Sequence, residues 1–287
     1  MKNALLVCDS GSTKADWVLL AGRERISVRT RGLQPFFLTS EEIAAELREH
    51  VLPIAEKHRI TSVQFYGSGC SDDRTRGIVE RGIRTAFPHP ELEVGITHDL
   101  LGAARATCGD AAGIVGILGT GSNSCHFDGH QIVDNVPSLG YLLGDEGSGT
   151  YLGRLLVRAY FYRELSTEVA ARVEEYLPGG RSVLLENIYH RPRPNAFLAR
   201  FTYPLAELRD APEVRALIER GLDDFVVRHL LKYANATTLP IHFVGSIAAV
   251  FEPELRGVLE RRGLSLGNIL HRPIDGLVEY HTAVADF

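Results

Sequence analysis

Two short turns rich in glycine, serine and threonine carry the residue types that grip phosphate. The first is Asp9-Ser10-Gly11-Ser12-Thr13-Lys14 and the second is Gly119-Thr120-Gly121-Ser122. Glycine lets the backbone reverse sharply and lets a ligand approach closely. The hydroxyls and backbone N–H groups around it donate to phosphate oxygens. Laid over one another with Gly121 on Gly11, the two segments continue without a gap: Ser122 falls on Ser12, Thr120 on Ser10, Ile117 on Val7 and Phe127 on Trp17. Each reads as an apolar strand, a turn, a second strand, another turn and a third strand. The alignment sets Asp9 against Gly119, so only the first turn offers a carboxylate for a Mg²⁺ ion or its bound water. A side chain added at Gly121 is expected to take the space of the phosphates. One such loop says little; two facing each other across a cleft could hold the phosphate chain of a nucleotide from both sides.

Other chemistry-bearing residues leave alternatives open. Asp99, in GITHDLLGAA, stands where a strand gives way to a helix; it can cap that helix or serve as a proton acceptor, and the two roles can coexist. Asp145 and Glu146, in GDEGSG, read as a solvated acidic loop or as buried acceptors for hydroxyl groups. Cys8, Cys70, Cys108 and Cys125 form no CxxC pair and no zinc-ribbon spacing. Cys8 and Cys125 lie in strand-like runs and read as small apolar residues. His126 and His130 flank an Asp128-Gly129 turn and read as a surface pair, since two histidines alone make a poor metal site.

Around these residues the chain alternates element types. After the meander of residues 4–30, Thr39 and Glu42 have capping-box spacing ahead of a helix whose apolar face is Ile43, Leu47, Val51 and Ile54. Pro53 kinks this helix or ends its regular part. A strand (TSVQFYG), a helix capped near Ser71, a strand (LEVGITH) and the helix DLLGAARATCG complete one α/β domain, residues 1–112. At residue 113 the meander starts again, so residues 113–287 form a second, similar lobe. It carries a helical insertion at about 150–235 and a last helix expected to pack back on the first lobe. A net charge of −5 speaks against nucleic acid as the main partner. No run approaches the roughly 18 apolar residues that cross a bilayer, and Asp9 breaks the only apolar run resembling a leader. The expected location is the cytoplasm.

CDSGSTKADW looks like the first phosphate loop of the actin–hexokinase superfamily, LGTGSN resembles the second, and HFVGSIA resembles the later segment that approaches adenosine. GYLLGDEGSGTYLGR closely resembles a motif of the N-acetylglucosamine kinase family, which also contains ATPase subunits of benzoyl-CoA reductase and activators of 2-hydroxyacyl-CoA dehydratase. The resemblance spans essentially the whole chain. It implies a duplicated, two-lobed, ribonuclease H-like α/β fold with ATP in the cleft, and a cytoplasmic homodimer. It further implies that Asp9 holds Mg²⁺, that Gly11, Ser12, Thr13 and Lys14 meet the β- and γ-phosphates, and that Thr120, Gly121 and Ser122 grip them from the other lobe. Gly245 and Ser246 then lie near the adenosine, the missing side chain leaving room for it. Asp99 becomes the general base over the attacking sugar hydroxyl. Gln34 in GLQPFFL, Gly140 and Asp145, rather than Glu146, become the sugar-binding residues.

The implied activity is ATP-dependent phosphorylation of N-acetylglucosamine at the 6-hydroxyl, with glucosamine and N-acetylmuramic acid as close variants. The chain departs from the family pattern at Gln34, where Asn is expected, and at Leu139, where animal members carry Trp; both positions fall in the implied sugar pocket. An ATPase that drives electron transfer in a partner is the competing reading. It needs exposed cysteine thiolates for an iron–sulfur cluster, and Cys108 and Cys125 are the only pair near the lobe junction. A sugar sensor on the same fold is a third reading, opposed by the presence of Asp99.

Overall fold

The protein is described by a computed structural model covering residues 2–11 and 13–284. It divides into two compact units, one made of Met1–Asp110 with Arg272–Phe287 and the other of Ala111–His271.

The first unit is built on a five-stranded sheet in the order β3-β2-β1-β4-β5. Strands β1 (Lys2–Ser10), β2 (Lys14–Ala21) and β3 (Glu24–Arg31) form the antiparallel meander, while β4 (His58–Gly67) and β5 (Glu93–His98) run parallel to β1. Strand β1 is apolar on both faces because both are covered. Ala4, Leu6 and Cys8 join a core with Ile43, Val79 and Ile83, whereas Leu5 and Val7 join one with Ile274, Leu277 and Val278.

The first of those cores is closed by α1 (Ser40–Glu46) and α3 (Asp73–Ala86). The capping box forms as its spacing suggests: Thr39 Oγ1 accepts from the Glu42 amide at 3.2 Å, and the Glu42 carboxylate accepts from the Thr39 amide at 2.8 Å. The helix then widens into a π-helical turn over Leu47–Val51 before resuming as α2 (Leu52–Ala55). That turn is how the chain accommodates Pro53, which has no N–H to give. Asp72, rather than Ser71, caps α3, its carboxylate accepting from the Thr75 amide at 2.7 Å. Helix α4 (Asp99–Cys108) follows β5 directly.

The second unit repeats this plan in a sheet of order β10-β9-β6-β7-β8. Strands β6 (Gly113–Leu118), β7 (Ser122–Phe127) and β8 (Ile132–Asp134) form a meander, and β9 (Ile241–Val244) and β10 (Leu266–Leu270) run parallel on the other side of β6. Between β8 and β9 lie α5 (Gly140–Leu143), α6 (Gly149–Phe161), α7 (Thr167–Glu175), α8 (Gly180–Tyr189), α9 (Pro194–Ala199), α10 (Thr202–Glu207) and α11 (Pro212–Arg228). On α11 the residues Val214, Ile218, Leu222, Phe225 and Val226 fall on one face and are fully buried in the core of this unit. After β9 come α12 (Ser246–Val250) and α13 (Glu252–Arg261). The last helix, α14 (Pro273–Val284), packs on β1, β2 and α4, so residues from Arg272 onward belong to the first unit. Among the described residues no helix is long and apolar enough to cross a membrane.

Helices α6 and α9 approach so closely that a methyl at Gly153 would stand 2.0 Å from the Leu198 carbonyl oxygen. Backbone cannot swing aside as a side-chain tip can. Gly153→Ala is therefore expected to cost about 2 kcal/mol or more, read as a lower urea midpoint with an unchanged slope; an unaltered midpoint refutes this packing.

Candidate functional site

In the first unit the sheet brings carboxylates together at the ends of its parallel strands. Asp9, next to last in β1, pairs across the sheet with Asp16 on β2. Asp99 follows β5 directly. The Asp9 carboxyl is pushed up to about 7, first by burial, then by the negative charges of Asp99 and Asp16, against the pull of the Lys14 ammonium. Burial also raises Asp99; His98, nearby backbone amides and the Ser68 hydroxyl oppose the shift. Asp16 is neutralised by Arg29 at 2.8 Å. For Asp9, by contrast, no hydrogen-bond donor reaches the carboxylate among the described residues. Asp99 is not the cap of α4: His98 is, its Nδ1 accepting from the Leu101 amide at 3.2 Å, and Asp99 is the first helical residue. The Asp99 carboxylate also accepts from amides of that first turn, its own and that of Leu100, and from the Ser68 hydroxyl. Asp16 and Ser68 went unnoticed in the sequence, although Asp16 could have been found by counting outward from the turn to the partner of Asp9.

Among the described residues no three His, Cys, Asp or Glu side chains converge on one point. Asp9 offers a single buried oxygen donor with excess negative charge around it, which suits Mg²⁺. That ion keeps several waters and takes one or two carboxylates alongside phosphate oxygens.

The first turn closes with the Gly11 N–H donating to the Lys14 carbonyl at 3.0 Å, and Gly32 N–H donates to the Thr13 carbonyl at 3.0 Å. Ser12 lies outside the described residues. Ser10 Oγ accepts from the Leu33 amide at 2.9 Å, tying the Gln34 segment to the turn. Gln34 then presents a buried Oε1 that has no donor among the described residues. Its stem lies over Gly69, where a Cβ would come within 3.2 Å of the Gln34 Cγ. An acceptor held dry and unpaired is costly unless a ligand supplies the donor.

In the second turn the Gly119 N–H donates to the Gly121 carbonyl at 3.0 Å. One residue is enclosed here and two in the first turn, so the gapless superposition fails. Gly119, not Gly121, matches Gly11, and the counterpart of Asp9 is Ile117. The conclusion that only the first turn has its own carboxylate survives. The Gly119 and Thr120 carbonyls accept from the Gly149 and Thr150 amides, at 2.8 and 3.2 Å, at the start of α6. The amides of Thr120 and Gly121 have no acceptor among the described residues, and Ser122 Oγ is buried without a partner.

Gly245 stands at φ 119° just ahead of Ser246, the first residue of α12. A Cβ there would lie 2.3 Å from the Leu118 carbonyl oxygen. The glycine is thus required by close packing of β9 on the end of β6, a reason independent of space for adenosine.

Asp145 and Glu146 are both buried, which rules out a solvated loop. Asp145 adopts φ 57°, and burial raises its carboxyl above the ordinary range. Its Oδ1 accepts from Ser138 Oγ at 2.9 Å and from the Ser122 amide at 3.4 Å. The side chain an extra methyl at Gly121 would meet is Asp145, with Oδ2 only 3.0 Å away. The sequence pointed to phosphate there. Gly140, at φ 72°, has open space around it, and its N–H donates to the same Ser138 hydroxyl at 3.4 Å. Glu146 faces His229, with Oε2 3.3 Å from Nε2.

No family model matches the chain, and comparison with curated proteins finds no match. Solved structures do match. A Porphyromonas gingivalis protein, named provisionally as an N-acetylglucosamine kinase, is 41% identical over 97% of this chain and 99% of its own, with a TM-score of 0.90. The chain belongs to the N-acetylglucosamine kinase family of the actin–hexokinase superfamily. A second provisional N-acetylglucosamine kinase, from Chromobacterium violaceum, is 19% identical over 97% of this chain and 99% of its own, with a TM-score of 0.75. A ROK-family glucokinase from Streptomyces griseus, solved with glucose and AMPPNP, is 16% identical over 98% of each chain, with a TM-score of 0.55. At those identities the likeness speaks for the fold alone. The duplicated α/β fold expected of this family is the fold observed.

The family fold keeps Asp9 at a cost. Folding holds a proton on Asp9 at pH values where the unfolded chain, with its ordinary value of 3.8, has lost it. The native state binds more protons, so this group's contribution to stability falls as pH rises from about 4 to about 7 and stays lost above. Asp9→Asn removes that dependence. Urea unfolding is expected to find the variant more stable than wild type at pH 8, by about 1 kcal/mol or more, with the gap closing toward pH 4. A gap that does not change with pH refutes the charge crowding.

Proposed function

We propose that the chain is an ATP-dependent sugar kinase that transfers the γ-phosphoryl group to the 6-hydroxyl of an amino sugar, N-acetylglucosamine foremost. The observation that carries this reading is Asp99, a half-buried carboxylate of raised proton affinity at a strand end. It lies close enough to Asp9 for its charge to be felt there. A carboxylate in that state suits proton removal from a hydroxyl better than an exposed one does. The P. gingivalis relative, named provisionally as an N-acetylglucosamine kinase, supports the same chemistry.

In this reading the unpaired amides of Thr120 and Gly121, with the Ser122 hydroxyl, receive phosphate oxygens. The first turn does likewise through Gly11, Ser12, Thr13 and Lys14. Gly245 and Ser246 border the adenosine. Gln34 Oε1, the Asp145 carboxylate and the backbone at Gly140 hold and orient the sugar. Asp99 takes the proton from its hydroxyl as the oxygen attacks phosphorus. Mg²⁺, held by Asp9 through water, would neutralise charge on the phosphates.

The electron-transfer ATPase is less well supported. Cys125 is fully buried within β7 and Cys108 is half-buried at the end of α4, its thiol made less acidic by burial, whereas cluster ligation needs accessible thiolates. Glucosamine and N-acetylmuramic acid remain the nearest alternative substrates, because Gln34 and Leu139 alter the implied pocket.

Asp99→Asn tests the mechanism. His98 continues to cap α4, so the fold and both affinities are expected to hold within a few-fold. The amide cannot take the proton, and kcat is expected to fall at least about 10²-fold, or roughly 2.7 kcal/mol of barrier. Near-normal kcat in this variant would remove Asp99 from the chemistry. A panel of sugars tests the substrate: N-acetylglucosamine should give a higher kcat/KM than glucose, and the reverse order transfers the assignment to plain hexoses.

A further inference from the structure

We infer that Asp145 belongs to two sites at once, and that Gly121, in the second phosphate turn, sets affinity for the sugar. This rests on the reading of Asp145 as a sugar ligand. Three observations carry it. The Asp145 carboxylate is held at Oδ1 by Ser138 Oγ at 2.9 Å and by the Ser122 amide at 3.4 Å, the latter being part of the phosphate-binding segment. Oδ2 accepts no hydrogen bond from the described residues and lies against the open side of Gly121, 3.0 Å from where a Cβ would stand. The backbone of Asp145 is at φ 57°, a conformation that L residues other than Asn and Asp seldom adopt, so the carboxylate has been brought to this place at a conformational cost.

The division of labour between the two oxygens follows. Oδ1 is spent on the protein, bridging the Ser138 hydroxyl to the phosphate turn, while Oδ2 is free for a hydroxyl or amide N–H of the sugar. A ligand bond at Oδ2 fixes the rotation of the carboxylate. That in turn fixes the Ser122 amide and the adjacent unpaired amides of Thr120 and Gly121. Sugar occupancy and the readiness of the turn for phosphate are therefore linked through one side chain, and linkage of binding free energies runs equally in both directions. A side chain at 121 presses on the sugar's acceptor, which must shift even for a methyl. A change in the phosphate turn is then felt first by the sugar.

Gly121→Ala is the test. The added methyl meets the far end of a side chain and no backbone, so the protein is expected to fold with Asp145 pushed aside. Calorimetry with N-acetylglucosamine and no nucleotide should show affinity falling about ten-fold or more, the size expected for loss of a hydrogen bond to a charged acceptor. Sugar should also raise AMPPNP affinity in wild type, and by less in the variant. Ser138→Ala, which frees Oδ1 without touching the turn, should lower both sugar affinity and this enhancement, and serves if Gly121→Ala does not fold. Wild-type sugar affinity in either folded variant overturns the inference while leaving the kinase reading intact. A wild-type protein that binds none of the amino sugars overturns both.

Discussion

The carbonyls of Gly119 and Thr120 are turned onto the first turn of α6, and much of the second unit follows from that pair of hydrogen bonds. A helix start has free N–H groups that must find acceptors. Here the Gly149 and Thr150 amides find them in the turn between β6 and β7, and Thr150 Oγ1 adds a bond to the Thr120 carbonyl at 2.6 Å. With the carbonyls engaged on one side, the Thr120 and Gly121 amides are left on the other. A turn held in this way is organised before any anion arrives, so binding need not order it. The same constraint explains three close approaches. Gly149 lies against the Gly119 carbonyl, Gly245 against that of Leu118, and Gly147 against Phe225 of α11; a side chain at the latter two would collide.

Carboxylates are the other recurring expense. Asp9, Asp99 and Asp145 all have raised proton affinity, and in each case burial is the leading cause. A fold selected for stability alone would pair them or leave them in water, as it does Asp16 with Arg29. The unpaired ones are those for which a cation or hydroxyl donors are the natural complement. Gln34 Oε1 and Ser122 Oγ, buried without partners, extend the pattern to neutral groups. Other buried polar atoms without partners, on His58, Thr97, Arg105 and His229, belong to none of the candidate site residues.

Much of this was legible in the sequence for reasons that are local. Strand–turn–strand patterning and a capping box are written in neighbouring residues, so both meanders and the start of α1 could be placed. Glycine-rich turns marked the reversals between β1 and β2 and between β6 and β7. What escaped depends on residues far apart in the chain. The gapless overlay of Gly121 on Gly11 is persuasive in letters, yet one turn encloses a residue more than the other, a difference set by hydrogen bonds and not by composition. His98 holds the N-cap position, its neutral ring nitrogen also able to accept from an amide, a possibility that the usual preference for Asp, Asn, Ser and Thr hides. At Gly121 and Gly245 the absent side chain leaves room for the Asp145 carboxylate and the Leu118 carbonyl, neighbours distant in the chain. A sequence shows that a side chain is missing and does not show what fills the space.

The duplication makes the two hairpins comparable, and the comparison bears on how one fold acquires two roles. Both sheets have a meander on one side of the first strand and two parallel strands on the other. In the first unit the carboxylate is built into the strand at Asp9, two residues before the turn. In the second, the equivalent position is Ile117, which holds no charge. The acid instead arrives from a separate turn, as Asp145, and reaches Gly121 and Ser122 from the side. A carboxylate in a strand is fixed by the sheet and points where the pleat directs it. One on a separate turn can be positioned independently of the sheet, and it can bind a second group at the same time. The first arrangement suits an ion that must sit at one place relative to the phosphates. The second suits a substrate whose presence has to be communicated to them.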